Sequence, residues 1–288
     1  MGGLVIGQGN PWWLSPNVWV VPVVQGSNLP DPFPGVIHPV VGQQYNLVAK
    51  FSNTSEETFP DANVFFYWAN PSLSIDTDHA HLIGSWSGGV DSSPNPPDQG
   101  PANTVWETPA WTPNFENNGH ECIIAAVVED GLIPSGPLNG DNYPPTIAQR
   151  NLGVVQPSGN KKGRFQYAFE VCNPARVERS FTVAAEAARP AEAARILKSL
   201  GREARPGEKP GSVEHLGVVR ARSPGPSDLD AAHPVLEGVR VAPLSCTGFS
   251  LVGTLTEGMS LIHVTQIFEG RIVGGLSVLA LAEDAVRG

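Results

Sequence analysis

The sequence predicts an all-β protein built of two tandem β-sandwiches, the second of which carries a short helix and a long loop insertion. Three observations lead to this prediction. The chain has 288 residues, which is more than one core usually holds, so two domains are expected. Its 31 Gly and 28 Pro, with only 16% charged residues, are typical of turn-rich β structure. A hydrophobic content of 41% is enough for two cores.

The first domain is predicted to span residues 1–155 as short strands separated by Pro, Gly, Asn and Ser. Within it, Tyr45, Leu47 and Phe51 alternate with polar or small residues, which is the period of a strand with one buried face. We expect the segment 62–68 to pair with this strand. The predicted strands of this domain are 17–24, 44–53, 62–68, 81–86, 104–108, 121–129 and 148–155.

The second domain is predicted to span residues 164–288, after a linker at 156–163 that is rich in turn formers. Residues 201–234 are dense in Pro, Gly and charge, so we expect a long exposed excursion that offers a contact surface. The dipeptide Glu269-Gly270 is typical of a hairpin turn. The predicted strands of this domain are 165–172, 180–187, 248–256, 260–268 and 271–281.

A helical insertion is predicted at residues 190–200 of the second domain. Ala193, Ile196 and Leu197 recur at the spacing of one helical face, which would pack on the sandwich. The segment opens with Pro190 and is followed by Gly, the two residues that favour the start and the end of a helix.

Charge separates the two predicted domains. Residues 1–160 contain 14 acidic residues and only two basic ones, Lys50 and Arg150, whereas residues 161–288 contain 14 acidic and 16 basic residues. An acidic half cannot neutralise phosphate groups, so nucleic acid and anionic membrane are not expected as its partners. No apolar run reaches the length of a membrane span, and no signal peptide is visible. An extracellular or cell-surface location would therefore need another export route.

Tryptophan and aromatic clusters mark the first half of the chain. They are Pro11-Trp12-Trp13 with Trp19, Val64 to Trp68, Trp111-Thr112-Pro113, Gly119 to Ala125 and Ala148 to Leu152. With these residues, the range 10–155 resembles the bacterial immunoglobulin-like domains related to the CARDB group, which occur in adhesion and cell-surface proteins. The resemblance implies an immunoglobulin-like sandwich that serves as a spacer, an adhesin or an accessory module, and the second half looks like a further sandwich of this kind.

Cys122, Cys172 and Cys246 are the three cysteines, and they form no C-x-x-C pair that would indicate a metal knuckle or a redox motif. Cys172 and Cys246 fall in the second domain. They could form a disulfide bridge there, and two buried free thiols are equally compatible with the sequence.

Metal binding has only weak candidates. His79 and His81 would project to one face of a strand with His120 nearby, a set that could satisfy zinc or copper. Asp76 and Asp78 with Asp91 could instead hold calcium, but the spacing lacks the usual loop pattern. A turn followed by a strand start explains the same residues, so we predict no metal and no cofactor.

Catalytic motifs give no support for an enzyme. The sequence has no G-x-S-x-G and no phosphate-binding loop, and Gly84 to Gly89 has the right residues at the wrong spacing. His120 beside Cys122 would act as a nucleophile pair only if both side chains were exposed in a cleft. We therefore predict that the protein is not an enzyme.

All seven tryptophans precede residue 112, and the first of them are the predicted binding residues. Trp68 and Trp111 are expected in the core. Trp12, Trp13 and Trp19 lie in or beside a Pro-rich segment, where an exposed ring could stack on a sugar or anchor in a neighbouring subunit. Packing over the end of the sandwich is the alternative.

Two functional hypotheses follow. The first is a structural or assembly subunit that self-associates through strand edges and loops. The alternative is a ligand-binding or adhesion module for a carbohydrate or a protein partner, which uses loops at one end of the acidic domain.

Overall fold

The protein is described here from a computed structural model. It describes residues 3–23, 39, 42–92, 104–107, 110–113, 122–129, 137–138, 145–155, 163–200, 210–221 and 232–282, with only the backbone at 78, 104–107 and 137–138. These residues form nearly all-β structure in several sheets with one short α-helix. None of the described helices is long and apolar enough to cross a membrane.

The described residues before position 151 form ten strands. They are β1 (Leu4–Val5), β2 (Val18–Pro22), β3 (Tyr45–Asn53), β4 (Phe59–Ala69), β5 (Ile75–Asp76), β6 (His81–Val90), β7 (Thr104–Glu107), β8 (Cys122–Val128), β9 (Pro137–Leu138) and β10 (Ile147–Arg150). One sheet has the order β1-β3-β2 with β7 also paired to β3, and a second has the order β10-β8-β4-β6. We call these two the N-terminal sheet pair. Strands β5 and β9 form a separate small sheet.

The N-terminal sheet pair encloses one hydrophobic core. Alternate residues of β3, including Tyr45, Leu47 and Phe51, contact Val64 and Phe66 of β4 across this core. The predicted buried face of β3 is therefore confirmed. Trp111 also lies in this core, as predicted, whereas Trp68 only packs against its edge.

The predicted pairing of the segment 62–68 with β3 was wrong. Strand β4 pairs with β6 and β8, in the sheet that faces β3. The reason is the connection after β3, where Asn53 Nδ2 donates to the carbonyl oxygens of Glu57 (2.6 Å) and Val90 (3.2 Å). This turn carries the chain across the core instead of back along the same sheet.

The described residues after position 151 form eight strands and the helix. They are β11 (Leu152–Val155), β12 (Arg164–Asn173), β13 (Arg179–Ala187), α1 (Pro190–Ser199), β14 (Val213–Arg220), β15 (Val235–Val241), β16 (Ser245–Leu255), β17 (Met259–Phe268) and β18 (Arg271–Leu281). One sheet has the order β11-β18-β17-β13-β15 and the other β12-β16-β14. We call these the C-terminal sheet pair, and a second hydrophobic core lies between them.

Two predicted features of this half are confirmed. Helix α1 begins at Pro190, and its residues Ala193, Ile196 and Leu197 are buried. The hairpin between β17 and β18 turns at Glu269 and Gly270, whose φ angles of 50° and 76° are both positive. Such a turn matches the twist of the flanking strands, and glycine adopts it without steric cost.

The prediction of one long exposed excursion at 201–234 was wrong for its middle part. Residues Val213–Arg220 form β14, which pairs with β16, and Val218 is completely buried. The apolar residues around Gly217 supply a strand signal that the surrounding Pro, Gly and charge obscured. Residues 201–209 and 222–231 lie outside the described part of the chain.

The predicted strand 148–155 is two strands in the structure. β10 pairs with β8 in the N-terminal sheet pair, whereas β11 pairs in parallel with β18 in the C-terminal sheet pair. The chain therefore passes from one half to the other within this segment, at the buried residue Asn151. The predicted linker lies later, and residues 156–162 are outside the described range.

Asn151 joins the two halves through hydrogen bonds of its side chain and its backbone. Its side-chain Nδ2 donates to the carbonyl oxygens of Ser72 (2.9 Å) and Gly275 (3.0 Å). Its backbone N–H donates to the carbonyl oxygen of Trp13 (2.9 Å), and its carbonyl accepts from Ser277 N–H (3.0 Å). One residue thus ties two distant segments, at Trp13 and Ser72, to strand β18 of the C-terminal half.

Two adjacent glycines of β18 allow the N-terminal half to approach this closely. A Cβ atom on Gly274 would lie 1.7 Å from the carbonyl oxygen of Leu73, and one on Gly275 would lie 2.5 Å from the Trp13 indole. Leu73 is 1% exposed and belongs to the C-terminal core although it comes from the N-terminal half. The junction is therefore a packed interface.

Candidate functional site

A cleft at this junction is the candidate functional site. It has a volume of about 310 Å³ and takes its walls from both halves of the chain. One wall is the segment 69–79 of the N-terminal half. The other consists of residues 170–174 at the end of β12 and 244–246 at the start of β16. Clefts between packed units that combine apolar surface with a few polar groups are common ligand sites.

Backbone pairing holds the first wall in place. The segment Pro71 to Leu73 runs parallel to the edge of β12, where Leu73 N–H donates to the Glu170 carbonyl (2.9 Å) and Glu170 N–H donates to the Pro71 carbonyl (3.1 Å). The burial of Leu73 in the C-terminal core anchors the same segment. The cleft is thus formed by two elements whose separation is fixed.

The second wall is built by the register of β12 and β16. Cys172 lies directly opposite Cys246, and the two form a disulfide with a Cα–Cα distance of 4.1 Å. The bridge decides between the two alternatives that the sequence left open. Glu170 is two residues before Cys172 and so shares its face of the strand, opposite Gly248, which has no side chain.

Glu170 is the most distinctive group in the cleft. Its side chain is half-buried, and burial raises the pKa of its carboxyl group. Among the described residues, no ion pair or side-chain hydrogen bond satisfies this carboxylate. A carboxylate that loses water without gaining a partner favours a ligand that brings a positive charge or hydrogen-bond donors.

The histidines predicted as weak metal candidates do not come together as a site in the described residues. His79 lies in the cleft wall, with Nδ1 3.4 Å from Asp76 Oδ2, whereas the exposed His81 stacks on Trp68 at a centroid distance of 4.2 Å. His120 lies outside the described range. Asp91 is exposed next to Thr58, so it does not join Asp76.

The N-terminal tryptophans fold back on their own chain. Trp13 is 3% exposed, and it packs with α1 and the outer face of β11, β17 and β18. Trp13 thus packs over the end of the sandwich, as in the alternative interpretation, and its burial leaves no ring face for a ligand. Trp12 is half-buried edge-on against Trp13, and Trp19 is half-buried on β2.

Possible nucleophiles in the described part of the chain are inaccessible. Cys122 is 1% exposed, and burial raises the pKa of its thiol well above the usual range. Ser277 Oγ lies 2.7 Å from His263 Nδ1, which is the contact of a nucleophile with its base. Ser277 has no exposed surface, however, and the Trp13 indole N–H donates to the same oxygen at 3.0 Å. This pair is a structural hydrogen-bond chain.

The hydrogen bonds that link Trp13, Ser277 and His263 predict that the folded protein loses stability in acid. The Trp13 indole N–H donates to Ser277 Oγ, and the same oxygen shares a hydrogen bond with His263 Nδ1 whose direction depends on the ring tautomer. Burial lowers the pKa of His263 below its usual 6.5, although the carboxylates of Glu192 and Glu186 oppose the shift. The unfolded chain then binds more protons below pH 6.5, so we expect stability to be complete above that pH and to fall below it.

Denaturant unfolding between about pH 5 and pH 8 measures this dependence. The variant His263→Gln should show a flatter pH profile than the wild type, whereas His233→Gln, which alters an exposed histidine, should keep the wild-type slope. Parallel profiles for the wild type and His263→Gln would show that His263 does not report the acid transition.

Sequence reasoning found part of this site and missed the rest. It singled out Asp76 and His79, but only as weak candidates for a metal site that it did not predict. It missed Glu170, because the alternation of β12 places that residue on an outward face, where a carboxylate is ordinary. No local signal in the sequence indicates that residues 69–79 cover that face.

Comparisons with known proteins leave the family open. No protein-family model and no curated protein sequence matches the chain. Among solved structures, the chain is similar to red sea bream transglutaminase with 10% identity and a TM-score of 0.24, covering 85% of this chain and 30% of the transglutaminase. It is also similar to the CupB6 tip adhesin from Pseudomonas aeruginosa with 10% identity and a TM-score of 0.23, covering 98% and 99% of the two chains. TM-scores this low do not establish a shared fold.

Proposed function

We propose that the protein is a non-enzymatic binding module of two tandem immunoglobulin-like sandwiches, and that its junction cleft receives a cationic side chain of a partner protein. The observation that carries this proposal is the half-buried, unpaired carboxylate of Glu170 in a cleft of about 310 Å³. The cleft lies at one end of the acidic half, so long-range attraction of a basic partner favours the same encounter.

The tandem arrangement is supported by a connection that occurs in both halves. Asn53 ends β3 and Asn173 ends β12, and each asparagine donates from Nδ2 to carbonyl oxygens of the turn and of a facing strand. In both places the next strand joins the opposite sheet. A repeated way of crossing the core is expected if the two halves share one architecture.

A binding role is also supported by how the junction is built. Leu73 and Asn151 fix the relative position of the two cleft walls through burial and hydrogen bonds. A preorganised cleft spends less binding free energy on ordering its own residues. Ser277, which contacts His263, and Cys122 are both buried, and neither lines the cleft, so neither adds a catalytic group to it.

Replacing Glu170 with Gln tests this proposal. Gln keeps the size of the side chain but removes the charge, so we expect the affinity for an Arg- or Lys-rich peptide to fall about tenfold or more. Calorimetric titration with such a peptide and with a neutral peptide of the same length measures the effect. Binding should also weaken as the pH falls through the raised pKa of Glu170.

The matched control is Glu178→Gln, which removes the same charge from an exposed turn of the same half. It should leave the affinity nearly unchanged, because an exposed charge contributes little. Equal losses in the two variants would show that only overall charge matters. Binding of neutral oligosaccharides that survives Glu170→Gln would instead favour a carbohydrate module.

Self-association is the second candidate function, and the edge strand β6 favours it. β6 (His81–Val90) lies at the end of its sheet order, and Leu82 on it is 57% exposed. Exposed strand edges can pair with a second chain. The burial of Trp13 within its own chain removes one predicted contact, so this candidate stands second. Light scattering across a concentration series distinguishes a monomer of 30.5 kDa from larger assemblies.

A further inference from the structure

We propose that the cleft wall becomes a metal site when the Cys172–Cys246 disulfide is reduced, with the two cysteine thiolates and the Glu170 carboxylate as ligands for a zinc ion. A carboxylate oxygen of Glu170 and both sulfur atoms lie within 4.8 Å of one another. The proposal goes beyond binding of a cationic side chain and does not depend on it.

Strand register already provides the geometry that a metal needs. Cys172 and Cys246 are directly opposite each other with their Cα atoms 4.1 Å apart, and a disulfide holds the two Cβ atoms about 3.5–4.5 Å apart on one face of the sheet. Two thiolates bound to tetrahedral zinc at about 2.3 Å have their sulfur atoms about 3.8 Å apart. The cysteines can therefore reach that separation by side-chain rotation, without movement of the strands.

Glu170 completes a set of three protein ligands. It lies on the same strand face as Cys172, and the facing residue Gly248 leaves room for its side chain. Its carboxylate is half-buried and has no partner among the described residues, so a cation in the cleft would relieve the cost of burying its charge. Three protein ligands leave a fourth tetrahedral position for water or for a donor of the bound partner.

The chemistry is a two-electron exchange followed by metal binding. An external dithiol reductant donates two electrons and two protons, the Sγ–Sγ bond breaks, and the reductant becomes a cyclic disulfide. Zinc then displaces the protons of the two new thiols, because a coordinating thiol is deprotonated. Thiolate ligands favour zinc and cadmium over magnesium and calcium. A small-molecule disulfide oxidant that accepts two electrons and is reduced to thiols would re-form the Sγ–Sγ bond and release the metal.

Zinc titration of the oxidised and the reduced full-length protein tests the proposal. After reduction with excess dithiol and removal of the reductant without air, we expect the chain to take up a single zinc ion in competition with a chromophoric chelator. Cadmium should produce a thiolate-to-metal absorption band in the ultraviolet. The oxidised protein should show neither, and its free thiol Cys122 serves as an internal control.

Three variants distinguish zinc binding at the proposed three-ligand site from nonspecific zinc binding to thiols. Glu170→Gln should weaken zinc binding by the reduced protein about tenfold or more, as loss of a ligand does. Glu178→Gln, on the exposed turn, should bind as the wild type does. Cys246→Ser should abolish the cadmium band, since a single thiolate remains at the site.

Two results would overturn the proposal. One is a reduced protein that keeps its circular dichroism spectrum but binds no zinc, or that binds it equally well with Gln at position 170. The other is a reduced protein that unfolds without metal and does not refold when zinc is added, because the proposed ligands are held together by the sheet. If the protein binds no basic peptide but the reduced protein still binds zinc, only the proposed function is contradicted, and the metal site stands.

Discussion

Replacing Gly274 with Ala should destabilise the protein by about 3 kcal/mol, because the new Cβ meets backbone that cannot move away. It would lie 1.7 Å from the carbonyl oxygen of Leu73. Relief of this overlap would push residues 71–73 away from β18 and pull Leu73 out of the C-terminal core. Denaturant unfolding followed by circular dichroism measures the loss.

The position offers a graded comparison with two other glycines. Gly275→Ala meets the side chain of Trp13 at 2.5 Å, which can shift in part, so its effect should be smaller than that of Gly274→Ala. Gly89→Ala on β6 meets its nearest atom, the Pro60 carbonyl oxygen, at an ordinary 3.6 Å and should change stability by less than about 0.5 kcal/mol. Equal stabilities for all three variants would rule out close packing at the junction.

Replacing Asn151 with Ala should cost about 3 kcal/mol for a different reason. The side chain is 1% exposed, and its Nδ2 satisfies the carbonyl oxygens of Ser72 and Gly275. Removal of the amide leaves both oxygens buried without these donors, and each unsatisfied group costs about 1–3 kcal/mol. The same unfolding measurement at neutral pH gives the size of the effect.

Asn63→Ala is the matched control for Asn151→Ala. Asn63 also donates from Nδ2 to a backbone carbonyl, that of Asp61, but this contact is exposed, so water replaces it. We expect its loss to cost less than about 0.5 kcal/mol. A similar small cost at Asn151 would contradict the view that this residue joins the two halves.

Local patterns account for what could be predicted. The alternation of Tyr45, Leu47 and Phe51 predicted the buried face of β3, and the spacing of Ala193, Ile196 and Leu197 predicted helix α1. These patterns succeed because each strand or helix must turn its apolar face to a core, whatever its neighbours are. They do not say which strand pairs with which, so the predicted pairing of 62–68 with β3 failed.

The candidate site was mostly decided by tertiary structure. From the sequence, Glu170 is expected to be a solvated carboxylate on an outward strand face. It is half-buried only because residues 71–73 pack on β12. The sequence left two interpretations of Trp13, an exposed ring or a ring packed over the sandwich. The space above Gly275 lets it join a core.

The sequence by itself determined the β-rich composition, the faces of most elements and the difference in charge between the two halves. Only the tertiary structure decided the bridge between Cys172 and Cys246, the crossing at Asn151 and the position of the cleft. The physical reason is the distance along the sequence over which each effect acts. Periodicity and turn chemistry act over a few residues, whereas the disulfide and the side-chain hydrogen bonds of Asn151 join segments that lie 74 to 124 residues apart in the sequence.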